Sequence, residues 1–163
     1  MLEILKRILL GVENEETIYK FINNDLSTNE IKYLLEKEIP PNVKQWVQFE
    51  DLQSAFSMIG YERMTNLENI INDVIENNIT GNIIETGVWK GGACMFIKYM
   101  LNHLKSNKKV YVADSFQGLP KPNAEKYSKD SGDTHHLYEF LSISEDQVKE
   151  NFKRFNLLDD NVV

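Results

Sequence analysis

The sequence has one cysteine, Cys94, among 163 residues, so no intrachain disulfide can form. That thiol lies in an apolar helical stretch with no partner near it in sequence. It reads as a buried structural thiol rather than a nucleophile or metal ligand. Clusters of Lys and Arg are also missing, and the net charge is −7 with a pI near 5.0. A chain of that sign has no broad attraction to nucleic acid or to an anionic membrane. No apolar run is long enough to span a bilayer, and the opening "MLEILKRILLGVENEE" is a poor signal peptide, with Glu3 beside a short apolar stretch. A cytoplasmic protein is expected. Repeats and low-complexity tracts are absent. What remains is a globular composition, 42% hydrophobic and 26% charged, at the size of one ordinary domain.

Helical periodicity marks residues 2 to 10, with Leu2, Ile4, Leu5, Ile8 and Leu9 repeating and Gly11 as the stop. Two short helices are expected at 15–24 and 28–38, the second capped by Ser27 or Thr28 with Glu30 close behind. "IPPN" at 39–42 breaks the pattern, because two prolines cannot sit inside a helix. Residues 66–78 predict an amphipathic helix with Leu67, Ile70, Ile71, Val74 and Ile75 on one face. After Gly81, "NIIET" predicts a short buried strand, "GGACMFIKYMLNHLK" a helix, and "KKVYVADSF" a second strand. Together they predict a βαβ unit with parallel strands. Residues 117–136 form a long polar loop holding Gly118, Pro120, Pro122 and Gly132. Long loops in compact domains are usually functional or disordered. A helix restarts over 142–158, with Ser144 as its N-cap, and "DDNVV" predicts a turn and the start of a third strand.

Ligands of open α/β sheets bind beyond the carboxyl ends of the strands. The turn there carries Gly87, Gly91 and Gly92, which let backbone amides approach a ligand at a helix N-terminus. The spacing is neither the dinucleotide G-x-G-x-x-G nor a P-loop. Glu85 ends the first strand and Asp114 the second. An acid after strand two can reach ribose hydroxyls, and an acid ending strand one can face an ammonium. An aminoacyl nucleoside such as S-adenosylmethionine satisfies both. Taken singly, each has a plainer reading: a bare tight turn, a surface acid at Glu85, a turn or capping residue at Asp114.

The strings "ETGVWKGGA" (85–93) and "ADSFQGLP" (113–120), with "SMIG" (57–60) upstream, resemble the macrocin O-methyltransferase family (TylF/MycF-like). The resemblance covers roughly residues 57 to 163; the first 50 residues match less clearly. It implies a class I methyltransferase with a Rossmann-like, doubly wound α/β sheet, preceded by N-terminal helices. Residues 1–55 would form a helical cap or oligomerisation segment, and 56–163 the N-terminal part of the catalytic domain. The family uses S-adenosylmethionine and magnesium to methylate sugar hydroxyls of macrolide antibiotics and related natural products. Carried over residue by residue, Glu85, Thr86, Gly87, Val88, Trp89, Lys90 and Gly91 fall in the first cofactor motif. Asp114, Ser115 and Phe116 fall in the ribose motif, and Met58 and Ile59 in a segment over the cofactor. The loop from Gly118 to Tyr138 matches one that closes on the acceptor sugar. His136 matches a family histidine able to assist proton removal, with His135 beside it leaving that choice open.

The family's magnesium-binding acids, in a later "DGD" segment and a "DD" pair, have no counterpart here. Asp159 and Asp160 follow a helix at a turn and are not expected to hold metal. The chain is therefore expected to be incomplete at the C-terminus, carrying the cofactor half and lacking the metal site and the chemistry by itself. Magnesium is expected of the full-length family only. The implied partner is a small glycosylated acceptor. A homo-oligomer through the N-terminal helices or a completing C-terminal chain is compatible with this reading. Two alternatives stand beside it: a non-catalytic remnant or interaction module, and a different nucleotide-binding enzyme such as an NAD-dependent one.

Overall fold

A computed structural model describes residues 1–163. The helices are α1 (Leu2–Leu9), α2 (Glu15–Ile22), α3 (Thr28–Glu36), α4 (Gly60–Glu76), α5 (Gly92–His103) and α6 (Glu145–Arg154), and the strands are β1 (Ile83–Thr86) and β2 (Val110–Ala113). No helix is long and apolar enough to cross a membrane.

The expected caps form. Ser27 and Glu30 make a reciprocal capping box on α3, and the Ser144 side chain accepts from the Gln147 amide at the start of α6. Helix α4 starts at Gly60, six residues ahead of the stretch marked by periodicity. Its buried line is Met64 and Ile71, whereas Ile70 is 48% exposed. Helix α1 differs more. It is buried all round, because its two basic residues are paired: Lys6 lies 2.6 Å from Glu68, and Arg7 2.6 Å from Glu13. Paired charges are tolerated inside where lone ones are not.

Strands β1 and β2 pair in parallel, with Ile83 opposite Val110 and Thr86 opposite Ala113, and α5 connects them. Residues 161–163 add to the other side of β2: Val162 bridges Val110 in parallel, and the Val110 amide donates to Asn161. The third strand thus begins where expected, and β2 is central. The expectation of a buried β1 fails. Its residues alternate half-buried and exposed, and Ile84 is 62% exposed. Only one face of the sheet, bearing Ile83, Glu85, Val110 and Val112, packs against helices. One continuous hydrophobic core includes Ile4, Leu9, Phe21, Met64, Phe96 and Phe152, so residues from both sides of position 55/56 share it.

Candidate functional site

The turn between β1 and α5 is held by its neighbours. The Gly87 amide donates to the Ala113 carbonyl (2.9 Å), tying the end of β1 to the end of β2. Gly87 has φ +80°, and nothing lies within 4 Å of where a Cβ would project. A side chain would be strained by the backbone conformation there, while the space beside the backbone is open. Gly92 is the opposite case. Its amide donates to the Phe56 carbonyl (2.9 Å), and a Cβ would sit 2.4 Å from that oxygen. The Phe56 and Ser57 amides both donate to Leu9, so the end of α1 is coupled to the turn through one short segment. Gly91, just ahead of α5, lies against Val148 and Phe152 of α6.

Asp114 gathers amides. Its Oδ2 accepts from Val88 (2.7 Å) and its Oδ1 from Phe116 (3.0 Å), clamping the glycine turn onto the end of β2. Burial pushes its carboxyl up, but the amides of Phe116, Val88, Trp89 and Ser115 outweigh that, and the pKa falls below its ordinary value. The plainer turn role read from sequence is therefore realised. The Ser115 hydroxyl lies 3.4 Å from Oδ1 as well, so the carboxylate's roughly four acceptor sites are largely taken by its own turn. Two non-glycine residues of the motifs, Trp89 (φ +50°) and Phe116 (φ +55°), are left-handed. Such backbone is uncommon and clusters at functional sites.

Glu85 contrasts with Asp114. Its side chain turns under α5, and its Oε2 accepts from the Cys94 thiol (2.8 Å). No Lys, Arg or His pairs with it; its pKa is raised by burial, offset only in part by the Cys94 thiol and amide. It borders a groove of about 450 Å³ between α4, β1 and α5, which Ile59 and Arg63 also line. The Arg63 guanidinium lies over the Trp46 ring instead, 3.5 Å from its centre. The contact between Glu85 and Cys94 was not legible in sequence, where the thiol had no evident partner.

Other candidates take different places. Ile59 adjoins Glu85 in the groove, while Met58 is half-buried and its carbonyl accepts from Val47 (3.2 Å). Thr86 is exposed at the end of β1, and Val88 is buried. Trp89 and Lys90 turn their side chains elsewhere. The Trp89 indole donates to the Phe140 carbonyl (2.7 Å). The Lys90 ammonium donates to the carbonyls of Leu52 (2.8 Å), Gln53 (3.2 Å) and Ala55 (3.0 Å). Burial lowers the Lys90 pKa. Ser115 closes its own turn by donating to Gly118 (3.1 Å). Phe116 is half-buried against the core. In the loop, His135 bonds Asp133 (2.7 Å), while the His136 Nδ1 is buried without a partner and no hydrogen bond joins it to the crevice. No three His, Cys, Asp or Glu side chains converge as a metal site, and Asp159 is paired with Lys98 (2.7 Å).

The macrocin-O-methyltransferase (TylF) family model matches residues 1–163, so the match extends through the N-terminal helices and not only from residue 57. The demethyldecarbamoylnovobiocin O-methyltransferase of Streptomyces niveus is 32% identical over 163 residues, covering 99% of this chain and 58% of that protein. The mycinamicin III 3''-O-methyltransferase of Micromonospora griseorubida is 38% identical over 112 residues, covering 66% of this chain and 44% of that protein. The solved structure of the O-methyltransferase NovP superposes with a TM-score of 0.75 at 31% identity, over 99% of this chain and 60% of that one. The helices and small parallel sheet are thus part of a Rossmann-like methyltransferase fold, and the chain spans about three-fifths of the length of the relatives it matches most fully. With the glycine turn, its two acids and the whole-chain match taken together, this chain belongs to the macrocin-O-methyltransferase (TylF) family.

Proposed function

We propose that this chain binds S-adenosylmethionine at the β1–α5 turn and supplies the cofactor-binding part of an O-methyltransferase acting on a sugar hydroxyl of a glycosylated natural product. One observation carries the reading. Glu85 is a largely buried carboxylate beside a groove, with a raised pKa and no cation of the protein's own to pair with. Buried charges are normally paired, and a perturbed acid in a cleft marks a functional site. An ammonium-bearing ligand would complete it.

The residues fit this cofactor. Glu85 would meet its amino group, and Asp114, just beyond the end of β2, stands where an acid of such a sheet meets ribose hydroxyls. The open side of Gly87 gives a ligand access to the backbone. When bound, the cofactor supplies an electrophilic methyl on a sulfonium. Trp89 and Lys90 act on the protein side, fastening the turn to Phe140 and to residues 52–55, so that the site is fixed before a ligand arrives. His136, with its unpartnered Nδ1, is the chain's own candidate to take the acceptor's proton. No cluster of His, Cys, Asp or Glu side chains in this chain fits the magnesium expected of the full-length family.

The acceptor class follows the relatives, which act by name on demethyldecarbamoylnovobiocin, a rhamnosyl tetracenomycin and mycinamicin III. A cytoplasmic setting belongs to the same reading. Calorimetric titration of S-adenosylhomocysteine into the 163-residue chain tests it. The expected result is micromolar binding and a single cooperative melt that rises with ligand. A cooperative melt without binding would remove Glu85 and Asp114 from the cofactor site. Fluorescence titration with NADH is expected to show no binding.

A further inference from the structure

Cys94 is fully buried in the first turn of α5, and its thiol lies 2.8 Å from Glu85 Oε2. No other side chain bonds that carboxylate, and α5 has no side-chain cap of its own. Glu85 also borders the groove, while the nearest groove cation, Arg63, is stacked on Trp46. The thiol has no route to ionisation: burial and the adjacent Glu85 charge both push its pKa up. It is therefore a fixed donor, unsuited to act as a nucleophile or metal ligand.

We infer that Cys94 is a positioning residue. Its thiol holds one oxygen of Glu85 under α5, so that the other oxygen is presented to the cationic amino group of the bound nucleoside ligand. The inference rests on the S-adenosylmethionine reading and names how that site discriminates. The ammonium end of the ligand would be recognised through Cys94 and Glu85, and the ribose end through Asp114 independently of both.

Two ligands separate the ends. S-adenosylhomocysteine carries the amino acid and its ammonium; 5'-methylthioadenosine keeps the adenosine and lacks the amino acid. Both would be titrated into the parent chain, Cys94→Ala and Cys94→Ser, with thermal melts on each. Cys94→Ala is expected to weaken S-adenosylhomocysteine about three- to tenfold, the worth of one hydrogen bond, and to leave 5'-methylthioadenosine within about twofold. Cys94→Ser keeps a donor and is expected to restore the parent value. Equal weakening of both ligands, or no weakening of S-adenosylhomocysteine, overturns the positioning role and leaves the cofactor reading standing. Failure of the parent chain to bind S-adenosylhomocysteine overturns both.

Discussion

The ends of β1 and β2 carry the same chemical group in opposite states. Asp114, closing β2, is surrounded by amides, and its carboxyl titrates below its ordinary value. Glu85, one residue before the end of β1, is largely withdrawn from solvent with a thiol for company, and its carboxyl titrates above its ordinary value. One acid is satisfied by the fold and supports it. The other is left short of a counter-charge and costs stability. Proteins keep such costs at sites where a ligand repays them. The contrast separates an acid satisfied by the fold from one that is not, in a way that neither spacing nor composition does.

The largest expected effect comes from breaking the satisfied acid. Asp114→Ala removes the acceptor for the Val88 and Phe116 amides and should lower stability by about 2 kcal/mol, read by urea denaturation. A loss under about 0.5 kcal/mol would mean that water replaces both bonds and that the clamp is idle. Breaking the unsatisfied acid should go the other way. Glu85→Gln removes a buried unpaired charge while keeping the shape, and should raise stability at pH 7.5 by about 1 kcal/mol. The same variant should lose most S-adenosylhomocysteine affinity. A destabilised Glu85→Gln chain would show the carboxylate to be structural after all.

The smallest effect is in the pH dependence. A raised folded pKa makes the stability contributed by Glu85 full below its ordinary 4.5 and lost as pH rises through the folded value. A lowered folded pKa makes the contribution of Asp114 full above its ordinary 3.8 and lost as pH falls through the folded value. The gap between Glu85→Gln and parent should therefore widen above pH 4.5. The gap between Asp114→Asn and parent should narrow below pH 3.8. Melts from pH 3 to 8 on three proteins check both signs, and gaps that move in parallel would erase the distinction.

Much of this was legible in the chain. Ser27 with Glu30, and Ser144 with Gln147, announced their caps because capping depends on residues three apart. The βαβ unit and the incipient third strand followed from apolar runs between turn residues. The motif around Glu85 and Asp114 pointed to the family and to the strand ends where the proposed site lies. Other features were not legible. Ile70 by helical periodicity, and Ile84 by its place in a short apolar run, read as core residues, yet both face outward, because burial depends on what covers a face and not on the residue itself. Trp89 and Lys90 belong to the cofactor motif in sequence, but their side chains are claimed by Phe140 and by residues 52–55, some 35 to 51 positions away.

By itself the sequence determined the element types, their caps, the parallel strand order and the family, all of which depend on local spacing or short strings. Only the tertiary structure decided in which direction each acid's pKa moves, and the pairing of Glu85 with Cys94. A pKa is set by desolvation and by donors brought together across the fold, and those distances are not written in the order of the residues.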